Sequence, residues 1–155
     1  MIKIMFVCHG NICRSPMAEF VLKDMIKNRG LSDRFIVSSS ATSTEEIGSP
    51  VHRGTKKKLA EYGISADGKY AVQLRKSDYE KYDYIIAMDS LNIRNIMRII
   101  GEDTNRKVSR LLDFSENPRD IADPWYTGNF DETYNDVKEG CEALLKYIKK
   151  SIKIN

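Results

Sequence analysis

The chain of 155 residues holds three cysteines, an odd number, and only two histidines. Three thiols cannot close into the fully paired framework of a small secreted domain. His9 and His52 alone do not make a ligand set, and Cys8 and Cys13 stand too far apart for a Cys-x-x-Cys zinc or redox pair, so neither a metal nor another cofactor is implied. No apolar stretch approaches about 18 residues, which argues against a membrane-spanning helix. Met1 to Val7 also lacks the charged-then-apolar pattern of a signal peptide. The net charge is a small +3, and the lysines are dispersed, which argues against nucleic acid as a partner. The densest basic run, Arg53 with Lys56, Lys57 and Lys58, reads as the solvated face of a helix. Together these shortages describe a cytoplasmic protein. Size is not among them: one domain over residues 1–155 buries roughly two-thirds of its unfolded surface without disulfides or metals.

What is present is concentrated near the N-terminus. Cys8-His9-Gly10-Asn11-Ile12-Cys13-Arg14-Ser15 lies between an apolar run, Ile2 to Val7, and a segment of helical periodicity. A strand that turns directly into a helix points successive backbone N–H groups into the turn, and the helix N-terminus adds positive potential, so an oxyanion belongs there. Cys8 opens the loop with its sulfur facing those donors, and the field that holds an anion also favours thiolate at neutral pH. Arg14 is suited to a bidentate grip on two oxygens of a phosphate while sulfur attacks phosphorus. Ser15 is expected as N-cap and Pro16 as the first helical residue.

Further along, strand and helix signals alternate. After Ile2–Val7 comes a helix from Pro16 that Gly30 stops, then a strand at Phe35-Ile36-Val37 and a helical unit from Val51 to Tyr62 closed by Gly63. Tyr84-Ile85-Ile86-Ala87 is the next strand, and Asp89-Ser90 caps a helix whose Ile93, Ile96, Met97 and Ile100 recur at helical spacing. Val108 to Leu112 reads as a strand. Phe130, Tyr134, Val137, Cys141, Leu144 and Ile148 mark a last amphipathic helix, with Cys141 on its buried stripe. Such repetition predicts an α/β fold: a doubly wound, mainly four-stranded parallel sheet flanked by helices, with ligands at the carboxyl ends of strands. Ser115 to Asn129 shows no periodicity, and a loop of that length is usually functional.

The stretch Val7 to Pro16 with Ala18-Glu19, together with Asp123-Pro124-Trp125-Tyr126, resembles the low molecular weight protein tyrosine phosphatases, and the resemblance spans the whole chain. It implies a hydrolase acting on phosphotyrosine in a protein or peptide, and on small aryl phosphates, with inorganic phosphate or vanadate as ligands. Cys8 is then the nucleophile that forms a phosphocysteine, and Arg14 the clamp. His9, Gly10, Asn11, Ile12, Cys13, Arg14 and Ser15 form the phosphate cradle. Ser15 donates a hydrogen bond to the sulfur, and Asn11 holds the loop from a left-handed conformation. Asp123 protonates the departing phenolate and later activates water, with Asp120, Asp113 and the more distant Asp89 as alternatives. Ile12, Trp125 and Tyr126 wall a slot deep enough for a phenyl phosphate, which leaves the shorter phosphoserine out of reach. Ser39 aligns with a serine that braces the Asn, within a run of three serines, Ser38 to Ser40. Cys8 and Cys13 are a candidate redox pair.

The chain also departs from the family pattern. His9 stands where an aliphatic or small residue is usual and projects toward the mouth. The central histidine that buttresses the Asn in eukaryotic members is missing, with Asp67, Lys69 or Tyr70 around its place. Glu45 and Glu46 replace an aromatic or histidine at the mouth and repel acidic flanking sequence. Phosphoarginine hydrolysis is the nearest rival, but relatives with that activity tend to carry threonine at the position of Ile12 and lack the paired aromatics. Arsenate reduction needs further cysteines between Cys13 and Cys141. An inactive phosphate-binding module does not explain Cys8, Arg14 and Asp123 together.

Overall fold

A computed structural model describes residues 1–152; the last three residues of the expected 1–155 domain lie outside the described residues. The N-terminal apolar run becomes β1 (Ile2–Cys8), which pairs with β2 (Phe35–Ala41) on one side and β3 (Tyr84–Ala87) on the other. β4 (Val108–Arg110) completes a four-stranded sheet of order β2-β1-β3-β4, and every pairing is parallel. Parallel neighbours need long crossovers, which helices supply here. α1 (Arg14–Asn28) lies between β1 and β2, α2 (Arg53–Ala60) and α3 (Asp78–Lys81) between β2 and β3, and α4 (Ser90–Ile100) between β3 and β4; α5 (Pro124–Thr127) and α6 (Phe130–Ile152) follow the last strand.

The two-residue side-chain period of β1 sorts its residues between two cores. Ile4, Phe6 and Cys8 face the larger one, with Met17 and Leu22 of α1 and Val137, Cys141 and Leu144 of α6. Met5 and Val7 face the other, with Ile85 and Ala87 of β3 and Ile96 and Ile100 of α4. Helices therefore cover both faces. Two glycines let elements close up: a Cβ on Gly54 would run into the Phe130 ring, and one on Gly140 into Leu111.

Three sequence expectations need correction. The first helix starts at Arg14, so Pro16 is its third residue, and Ser15 is not its cap; Cys13 holds that position without a side-chain hydrogen bond. Proline is tolerated there because the N–H groups of the first turn have no intrahelical partner. The fourth strand ends at Arg110, and Leu111–Phe114 form a 3-10 turn that drops both leucines into the core. The loop before the last helix is not wholly irregular, since α5 lies within it.

β2 and β3 leave β1 in opposite directions, so the carboxyl ends of β1 and β3 border the crevice where such sheets bind ligands. Cys8 ends one strand, and Asp89 follows two residues after the other.

Candidate active site

From Cys8 to Arg14 the chain makes one tight loop around an anion-sized space. Its carbonyls are drawn outward. Cys8 O accepts from Thr42 N at 3.0 Å, His9 O from Ser43 N at 3.0 Å, and Ile12 O from His52 N at 2.8 Å. Cys13 O accepts from the Thr55 hydroxyl at 3.2 Å. No peptide bond is cis, and in a planar trans peptide C=O and N–H point opposite ways. The N–H groups of His9, Gly10, Cys13 and Arg14 are therefore turned toward the loop's interior. The chain reverses at Asn11, whose φ of 59° is the left-handed conformation expected for it; Asn pays less for that geometry than most residues.

Asn11 is fully buried and uses every polar atom of its side chain. Nδ2 donates to Ser15 Oγ at 2.8 Å and to Ser39 Oγ at 2.9 Å, while Oδ1 accepts from Val72 N at 3.2 Å. Ser39 is thus the serine of the three that braces the loop, and its own proton goes to Glu19 Oε1 at 2.5 Å. Because Ser15 Oγ accepts from Asn11, its single proton is free to donate to Cys8 Sγ, 3.0 Å away; Asn11 N donates to the same sulfur at 3.3 Å. The donations diverge from the Asn11 amide: one branch runs through Ser39 to Glu19, the other through Ser15 to the sulfur.

Of the three residues near the place of the missing central histidine, Lys69 joins this network. Its Nζ donates to Ser39 O at 2.7 Å and lies 3.8 Å from Glu19 Oε1. Burial pushes its pKa down, against the opposing pull of Glu19. The sequence offered Glu19 only as part of the family motif and Lys69 only as one of three residues around the place of the missing histidine; the structure brings the two together behind the loop.

Arg14 is 3% exposed. Its Nη1 donates to Asp89 Oδ2 at 2.6 Å and to Ile121 O at 2.9 Å, and its Nη2 lies 3.4 Å from Asp123 Oδ2. Burial alone would lower its pKa, but Cys8, Asp89 and Asp123 outweigh that and raise it, so the guanidinium stays charged. Asp89 was expected as the cap of α4. It is that, with Oδ1 accepting from Asn92 N at 2.7 Å, and its other oxygen fixes Arg14.

Ile121 ties the roof to the sheet, donating its N–H to Met88 O at 2.9 Å. Two residues on, Asp123 caps α5 through Oδ1, which accepts from Trp125 N at 3.0 Å, and leaves Oδ2 toward the cleft. The other carboxylates considered for that role are engaged elsewhere: Asp113 and Asp120 both pair with Arg110.

Cys8, His9, Gly10, Ile12, Cys13, Arg14, Asp123, Trp125 and Tyr126 line one cavity of about 110 Å³, with Glu45 and Glu46 on its rim. His9 reaches the mouth as expected, its Nε2 2.9 Å from Glu45 Oε2. Asn11, Ser15 and Ser39 stand behind the loop and support it. Cys13 is buried, and desolvation, with the neighbouring Cys8 adding to it, pushes its thiol up to about 12. Cys141 is fully buried against Ala18 and does not line this cavity, as its helical stripe implied.

A cysteine sulfur in an anion-binding loop, an arginine beside it and a carboxylate above both define a cysteine-dependent phosphatase. The comparisons with known proteins agree. The model of the low molecular weight phosphotyrosine protein phosphatase family matches residues 3–154, and the chain belongs to that family. It is 43% identical over 152 residues to the low molecular weight protein-tyrosine-phosphatase YfkJ of Bacillus subtilis, covering 97% of each chain. The crystal structure of YfkJ superimposes with a TM-score of 0.94 over 97% of this chain and 96% of that one. The enzyme PtpA of Staphylococcus epidermidis is 41% identical over 151 residues, 97% of this chain and 96% of its own. The crystal structure of DARP, a drosophila arginine phosphatase, is 28% identical with a TM-score of 0.88, covering 96% of this chain and 98% of that one.

Proposed function

We propose that this protein hydrolyses phosphotyrosine in peptides and proteins by two in-line displacements at Cys8. Arg14 and the inward N–H groups hold the three non-bridging oxygens of the phosphoryl group. The Cys8 thiolate forms the S–P bond as the P–O bond to the phenol breaks, and Asp123 gives its proton to the departing oxygen. In the second step water attacks phosphorus, Asp123 takes back a proton, and the S–P bond breaks to release phosphate. Ser15, donating to sulfur, makes the thiolate a better leaving group. The observation that carries this reading is the Arg14 guanidinium, fixed by Asp89 and Ile121 beside Cys8, with Asp123 across the same cavity.

Tyrosine is favoured over arginine by the walls of the slot. DARP indicates that a scaffold of this shape also suits an arginine phosphatase, so the discrimination rests on side chains at the rim. Ile12 offers a guanidinium no hydrogen-bond partner, at a desolvation cost of about 1–3 kcal/mol. Trp125 and Tyr126 stack on a phenol ring, worth about 0.5–1.5 kcal/mol, although arginine also stacks on aromatic faces. Turnover of phosphotyrosine, phosphoserine and phosphoarginine peptides, measured side by side, tests the assignment. Phosphotyrosine is expected to lead phosphoarginine by about tenfold or more in kcat/KM, with Ile12→Thr narrowing the gap. Cys8→Ser is expected to fall below about 1% of wild-type turnover while phosphate or vanadate still binds the cradle. A wild type that prefers phosphoarginine would overturn the substrate, and an active Cys8→Ser the mechanism.

A further inference from the structure

The cavity over the phosphate loop does not end at Ile12 and Trp125. Past them a second, shallower groove runs along the start of α2, with Pro50, His52, Arg53 and Lys56 on its walls. Ile12, Glu46 and Trp125 border both hollows. A peptide whose phosphorylated side chain fills the first therefore lays a neighbouring segment over the second.

The groove is built rigidly onto the catalytic frame. The His52 ring stacks on Phe130 with centroids 5.4 Å apart and meets Trp125 edge-on at 5.7 Å. Its Nδ1 accepts from Gly54 N at 3.0 Å, and its backbone N–H holds Ile12 O at 2.8 Å. One residue thus joins the phosphate loop, the roof and the wall of the groove.

The charges along this groove are unbalanced. Arg53 and Lys56 are three residues apart on α2 and share a face. Among the described residues neither pairs with a carboxylate, whereas Lys58, on the same helix, pairs with both Glu61 and Asp131. Glu46 is the one acidic residue on the groove wall, and its carboxylate accepts from Ser49 Oγ at 2.9 Å. On the far rim of the mouth Glu45 pairs with His9. The opening is cationic on the α2 side and carboxylate-lined on the other.

The geometry points to this groove as a subsite for an acidic side chain, Asp or Glu, of the substrate peptide, on the one flank of the phosphotyrosine that crosses α2. It rests on the reading of the cleft as a phosphotyrosine site. A contact this far from phosphorus is equally strong in the ground and transition states, so it lowers KM and leaves kcat alone. Exposed ion pairs are individually weak and screened by salt, so the effect is several-fold and fades as ionic strength rises.

The test uses three phosphotyrosine peptides that differ only in their flanks: alanine on both sides, glutamate on the N-terminal side, or glutamate on the C-terminal side. p-Nitrophenyl phosphate serves as a reference without flanks. One glutamate peptide, not both, is expected to exceed the alanine peptide by about three- to tenfold in kcat/KM, through KM, with the gain shrinking in high salt. Arg53→Glu combined with Lys56→Glu is expected to abolish or reverse the gain while p-nitrophenyl phosphate turnover stays at the wild-type rate. Equal behaviour of the two glutamate peptides, or a gain that survives charge reversal, overturns the subsite alone. Failure of the wild type on p-nitrophenyl phosphate overturns the reading of the cleft, and the subsite with it.

Discussion

The floor and the roof of the cleft are built on opposite plans. In the floor, Cys8, Asn11, Cys13, Arg14 and Ser15 are each at most 4% exposed, whereas in the roof Trp125 is 57% and Tyr126 83% exposed. The floor is over-determined: the Cys8 sulfur and the side chains of Asn11, Arg14 and Ser15 each make at least two hydrogen bonds, and burial holds Cys13. The roof hangs from Ile121, buried to 1%, and from the Ala122 carbonyl, which accepts from Thr133 Oγ1 at 3.2 Å. The contrast separates two tasks. Groups that meet the phosphoryl oxygens gain most from being fixed before substrate arrives, while aromatics that meet a variable peptide gain from room to adjust.

The largest effect that would break this division comes from the floor. Arg14→Lys keeps a positive charge but loses the planar fork, together with the joint hold of Asp89 and Ile121. A fall of about 10²- to 10³-fold or more in kcat/KM on a phosphotyrosine peptide is expected, in the range of losing a preorganised donor. Retention of activity within about tenfold would show that charge suffices and that the floor is less exacting than its packing suggests.

Next in size is the roof. Asp123→Asn keeps an oxygen to cap α5 but has no proton of suitable acidity to give. The loss is expected to be about 10²- to 10⁴-fold for aryl phosphates with poor leaving groups and far smaller for activated ones. A leaving-group series with equal losses throughout would place the acid elsewhere. The smallest effect without oxidant sharpens the comparison inside the floor. Cys13, pushed up to about 12 mainly by burial, remains a thiol at neutral pH, and Cys13→Ser should hardly alter turnover. Peroxide is expected to convert the Cys8 thiolate to a sulfenic acid, with which the Cys13 thiol condenses to give a disulfide and water. Wild-type activity should return on adding thiol, whereas Cys13→Ser should lose it irreversibly. Mass spectrometry that finds no Cys8–Cys13 linkage in the inactivated wild type would reject the pairing.

The same contrast governs what the sequence disclosed. The floor is eight consecutive residues, so its chemistry and its conformation at Asn11 could be read locally. Its supports come from far along the chain: Ser39 on Asn11, 28 residues away, and Asp89 and Ile121 on Arg14, 75 and 107 residues away. Asp89 was legible only as a cap because a capping aspartate needs one oxygen, and nothing local tells where the second points. Ser15 was misread as a cap for the opposite reason. Its hydroxyl is committed to sulfur, and the helix runs straight out of the loop with no side chain closing its end. Leu111 and Leu112 matched a strand because a short apolar run fits a buried strand and a buried turn alike. The central support was left among Asp67, Lys69 and Tyr70, since lysine rarely serves as a buried brace.

The outward-turned carbonyls of the phosphate loop carry a consequence for the enzyme in its surroundings. Thr42, Ser43, His52 and Thr55 hold the loop open by themselves, so an anion entering it has no ordering of the chain to drive and keeps its binding energy as affinity. Inorganic phosphate, the product, is expected to enter that ring in competition with the ester. Added phosphate should then raise KM for the ester and leave kcat alone, with no second site and no change of shape.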